Sequence, residues 1–104
     1  MMGFTLLCEA IRQQRQVNFI YKAARWRLEP YIIGYNVSGD TLLNGWVVKH
    51  RSVVGWHQFQ VPLIFNVSLT STQVLRARPD YNAYDKSIAQ VICRFENISA
   101  CERE

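Results

Sequence analysis

The chain has 104 residues, a net charge of +4, 49% hydrophobic and 19% charged residues, and only 5 Gly and 3 Pro. That length is one domain, 1–104, and the composition excludes a disordered or collagen-like chain. No apolar run approaches the roughly 18 residues of a membrane span, and the start, Met1 to Glu9, lacks the basic region and small-residue cleavage site of a secretory signal. The expected location is the cytoplasm.

Phe4, Leu7, Cys8 and Ile11 recur at helical spacing and Arg12 and Arg15 close the run, where cations oppose the helix dipole, so residues 4–15 are expected to be a helix. The period then falls to two. Val17, Phe19 and Tyr21 mark a first strand. Trp26 and Leu28, alternating with Arg25, Arg27 and Glu29, mark a second. Lys22-Ala23-Ala24-Arg25 links them without the Asn-Gly of an ideal hairpin, which predicts a bulged or longer turn. Pro30 interrupts the second strand and Tyr31–Tyr35 resumes it, the pattern of a bent or edge strand.

Val37-Ser38-Gly39-Asp40 reads as a turn with Gly39 at positive φ, followed by a third strand over Thr41–Val48, a loop at Lys49-His50-Arg51-Ser52 and a fourth strand over Trp56–Val61. Beyond Pro62, Phe65, Val67 and Leu69 alternate with Asn66, Ser68 and Thr70, predicting a fifth strand with one wet face. A polar connection from Arg78 to Asp85 leads to a sixth strand over Ile88–Phe95. This strand is apolar on both faces, as expected if it is central or covered by a partner subunit. The fold class is therefore mainly β: one N-terminal helix, then five or six short strands in a small, strongly bent sheet or barrel.

Cys8, Cys93 and Cys101 are odd in number and show no Cys-x-x-Cys spacing, so reduced thiols are expected, with neither a disulfide framework nor a zinc site. Cys8 and Cys93 read as small buried hydrophobes. In a cytoplasmic chain the Asn-x-Ser triplets at Asn36, Asn66 and Asn97 carry no meaning as glycosylation acceptors. His50 and His57 have neither metal-ligand spacing nor an acidic partner nearby, and read as surface or loop-capping residues. With no phosphate loop, nucleophile elbow or close carboxylate pair, the sequence predicts no enzyme, no cofactor and no metal.

Binding chemistry is better represented. Residues 1–52 hold seven basic groups against three acids, and no carboxylate stands between Glu9 and Glu29. Arg25, Arg27 and Glu29 share one face of the second strand, a polar stripe whose guanidinium forks suit phosphates and carboxylates. Tyr21, Trp26, Tyr31, Trp46 and Trp56 offer ring faces, although the three tryptophans are expected chiefly to fill the core.

In order along the chain, Glu9-Ala10-Ile11, Val17-Asn18-Phe19-Ile20-Tyr21, Arg27-Leu28-Glu29-Pro30, Gly55-Trp56-His57-Gln58-Phe59-Gln60-Val61 and Arg78-Pro79-Asp80-Tyr81-Asn82 with Asp85-Lys86 resemble the WYL domain family. The Trp-Tyr-Leu triplet that names the family would fall near Asp40-Thr41-Leu42, where only the leucine is kept. The resemblance implies an Sm-like or SH3-like β-barrel and a ligand-sensing, regulatory role. It places Tyr21 and Arg27 on the polar ligand surface, with Gln58 and Gln60 flanking Phe59 where the family usually sets an arginine. The expected function is a non-enzymatic module binding an anionic ligand, a nucleotide or single-stranded nucleic acid, through Tyr21, Arg25, Arg27, Gln58 and Gln60. The alternative is a protein-interaction module docking a partner protein or a second copy through its last strand, with no nucleic-acid ligand and no membrane contact.

Overall fold

A computed structural model of the chain describes residues 2–95. Cys101, the triplet at Asn97 and the side chain of Phe4 lie outside the described residues. Helix α1 (Met2–Gln13) is followed by β1 (Arg15–Tyr21), β2 (Ala24–Tyr35), β3 (Thr41–His50), β4 (Val53–Gln60), a 3-10 turn (Val61–Leu63), β5 (Ile64–Gln73) and β6 (Gln90–Arg94). The strands form one antiparallel sheet in the order β4-β3-β2-β1-β5, with β6 added to β2. The chain is thus mainly β, as expected. The sheet is not closed into a barrel: β4 and β5 end the strand path, joined through the 3-10 turn.

Leu7, Ala10 and Ile11 bury the apolar face of α1, and Val17, Phe19 and Tyr21 fill the core from alternate positions of β1. Phe59 packs edge-on against Phe19 and Tyr21, with centroids 5.1 and 4.9 Å away. Edge-to-face pairing of this kind adds to the burial that drives folding.

The long strand β2 corrects one expectation. It is not an edge strand, because β3 flanks one side, while the other is shared by β1, up to Leu28, and β6, from Ile32 onward. Pro30 falls in the gap between those two partners, beside a register shift against β3, so a residue with no N–H interrupts neither neighbour. Gly34 lets β6 approach, since a Cβ there would collide with the backbone of Gln90 and the side chain of Ile88.

Four further expectations are revised. β6 is a short edge strand rather than a central one, and its apolar residues Val91, Ile92 and Cys93 pack against the core while Phe95 is buried. On β5, Asn66 takes a φ of 54°, and the resulting change of phase buries Ile64 and turns Phe65 out to solvent. None of the three tryptophans is buried: Trp26 and Trp46 lean on the core and Trp56 is exposed. Finally, Cys8 and Cys93 are joined by a disulfide with Cα atoms 6.0 Å apart, in place of the reduced thiols expected. Helix and edge strand are brought side by side only by the tertiary fold, across a sequence separation of 85 that spacing rules cannot read. No helix among the described residues is long and apolar enough to cross a membrane.

Candidate ligand-binding clefts

Two cavities lie beside the β2-β3-β4 hairpins. The first, about 640 Å³, is lined by Arg25, Arg27, Lys49 and Arg51, by Trp26 and His50, and by the amides and hydroxyl of Asn18, Asn66 and Ser68. No carboxylate lines it among the described residues. The pairing of β2 with β3 builds it: Lys49 stands opposite Arg27 in the register, and a turn at Arg51, with φ of 54°, places the next cation beside them. The third strand runs on to His50, further than expected, and that extension delivers Lys49 and His50 to the site.

Arg27 donates from Nε to the Asn18 side-chain oxygen at 3.1 Å, and no ion pair engages Arg25, Arg27, Lys49 or Arg51 among the described residues. His50 stacks on Trp26, with centroids 3.5 Å apart and planes within 3°. Its Nδ1 lies 2.9 Å from the Arg25 carbonyl oxygen. A carbonyl only accepts, so Nδ1 carries a proton and the ring is held in its plane.

Of the five residues predicted as ligand contacts, Arg25 and Arg27 meet in this cleft. Tyr21 is buried behind it: its hydroxyl accepts the Gln60 backbone N–H at 3.2 Å, and its ring supports Trp26 edge-on at 6.3 Å. Gln60 is exposed on β4 and lines neither cavity. Gln58 lines the second cavity, where its side-chain NH2 donates to Asn44 at 2.9 Å and to the Ser87 hydroxyl at 3.1 Å. Sequence reasoning missed Lys49, Arg51, Asn18 and Asn66. The signal was present for Lys49, because counting outward from the turn around Gly39 sets it opposite Arg27.

The stripe of Arg25, Arg27 and Glu29 also breaks up. Glu29 is buried at 6% exposure and accepts Arg78 Nε and Nη2 at 2.8 and 2.9 Å. Tyr31 donates its hydroxyl to Glu29 at 3.1 Å and accepts the Arg78 backbone N–H at 3.1 Å. Burial, with the Glu29 charge beside it, pushes this phenol well above the usual tyrosine range. The Arg78 guanidinium lies 4.7 Å over the Trp46 ring, and its hydrogen bonds to Glu29 favour its charged form.

The second cavity, about 500 Å³, is bounded by Tyr31, Trp56, His57 and Tyr81 with Asn44, Gln58, Asp80, Asp85 and Ser87. His57 joins the two sites, lining this one while its ring sits 5.2 Å from Trp26. Partial desolvation of the imidazole, with the charges of His50 and Lys22 nearby, holds its pKa below the usual histidine value.

No protein-family pattern matches the chain, and no curated protein matches it. Among solved structures the fold is similar to a part of proteasome accessory factor B/C (PafBC) of Arthrobacter aurescens, with a TM-score of 0.64 at 20% identity. The match covers 78% of this chain and 13% of that one. It is a likeness of fold, and it supports a WYL-like architecture for the chain.

Proposed function

We propose that the chain is a non-enzymatic, WYL-type ligand-sensing module that binds an anionic ligand, a nucleotide or a short single-stranded nucleic acid, in the basic cleft. In this reading the bent sheet is a small Sm-like or SH3-like barrel left open between β4 and β5. The observation that carries the function is the convergence of Arg25, Arg27, Lys49 and Arg51 on one cavity with no lining carboxylate among the described residues. Like charges gathered in this way repel one another, and an anion relieves that repulsion. The Trp26-His50 stack adds an aromatic platform for a base, and the asparagine amides add hydrogen bonds for sugar or base edges. His50 is held by Nδ1 and by its ring face, which suits a wall better than a proton shuttle. Docking of a protein through the last strand has less support, because the apolar residues of β6 are turned to the core.

The test is fluorescence anisotropy of a labelled eight-nucleotide single strand at low and moderate salt. About four phosphate contacts predict a slope of log K against log salt near −3. Binding that ignores salt, or that is untouched in the Arg25→Ala/Arg27→Ala double variant, refutes the proposal.

A further inference from the structure

The cavity bounded by β3, β4 and residues 80–87 has the opposite character to the basic cleft. Among the described residues, three aromatic rings and two carboxylates line it, and no lysine or arginine does. Trp56 and Tyr81 lie within 25° of parallel with centroids 6.4 Å apart, and the fully buried Tyr31 ring sits 5.0 and 4.8 Å from them as a floor. Asp85 is held by neutral donors: the Asn44 amide at 3.2 Å, the Ser87 N–H at 2.8 Å and the Ser87 hydroxyl at 2.7 Å. No hydrogen bond or ion pair engages the Asp80 carboxylate among the described residues. The nearby His57 is held toward its neutral form, so it brings little countercharge.

This combination selects among ligand classes. An anion meets two negative charges. A bare metal ion is matched by the carboxylates but not by the rings, and among the described residues no three His, Cys, Asp or Glu side chains gather to hold one. A neutral apolar molecule uses the rings and leaves the charges unanswered. An ammonium ion carrying methyl or alkyl groups satisfies both, because its diffuse charge is attracted by ring faces while its size fills a small-molecule cavity. We propose that this cavity binds a small organic cation of the methylated or alkyl ammonium class. The site is separate from the basic cleft, and the proposal does not depend on the function assigned there.

The experiment is a choline titration followed through the indole N–H resonance of Trp56, assigned with a Trp56→Phe variant. Sodium chloride at equal ionic strength and 3,3-dimethylbutan-1-ol, the neutral isostere, serve as references. The expected result is a saturable shift with choline alone. Asp85→Asn and Asp80→Asn, with fold checked by circular dichroism, should each weaken choline by up to about fivefold. The second variant lies outside the hydrogen-bonded loop and keeps the test sound if the first unfolds. An isostere that binds as well as choline, a choline response no larger than that of salt, or full affinity in the folded variants overturns the proposal.

Discussion

Arg78 and Arg27 carry the same guanidinium in two settings. Arg78 forks onto a buried carboxylate beneath Trp46, with a tyrosine hydroxyl bridging the pair. Arg27 has one bond to a neutral amide and three cationic neighbours in its cleft. The first charge is answered inside the protein and fixes the 78–87 connection against the sheet. The second is left for something outside. In a chain of modest net charge, where each cation finds its counter-ion separates structural from ligand-binding roles.

The largest effect should come from Arg78→Met, which strands the buried Glu29 charge and should cost about 3 kcal/mol of stability in urea denaturation. A loss below about 1 kcal/mol would show that water reaches the carboxylate and that the contrast is overdrawn. The Arg25→Ala/Arg27→Ala double variant should do the reverse, lowering affinity for a single-stranded oligonucleotide about tenfold at low salt while stability moves by no more than about 0.5 kcal/mol. Stability loss comparable to that of Arg78→Met would mark these arginines as structural. Tyr31→Phe removes the bridge but keeps the ring, and should cost about 1 to 2 kcal/mol with no change in oligonucleotide binding.

The smallest effect is that of pH on His57. Its folded-state pKa lies below the ordinary 6.5, so the unfolded chain binds the extra proton between the two values. This contribution favours the folded state fully above about pH 6.5 and declines as pH falls through that window. His57→Gln should flatten the pH dependence of the denaturation midpoint between pH 7 and pH 5, and an unchanged profile would show that the imidazole is freely solvated.

Local pattern was enough to read α1, the alternation of β1 and the turn at Gly39, because each depends on residues a few positions apart. The first cleft was half legible: Arg25 and Arg27 stood out by spacing, and hairpin counting reaches Lys49. Glu29 was misplaced on the wet face because its partner, Arg78, lies 49 residues away, a distance at which charge pairing leaves no periodic trace. The phase change at Asn66 was hidden for another reason. A single residue at positive φ inverts the inside and outside of a strand without altering its composition. The aromatic cavity draws Tyr31, Trp56 and Tyr81 from three separated segments, and only the completed sheet joins them.

The Cys8–Cys93 bond also decides how the fold bears tension. Residues 8 through 93 form a covalent ring that contains β1 to β5 and both cavities. A pull applied outside that ring travels through the sulfur bridge and bypasses the sheet, so single-molecule extension should recover almost none of the ringed length until a reductant is added. With the thiols freed, the same pull loads β6 against β2 first, and the edge strand becomes the point at which the protein gives way.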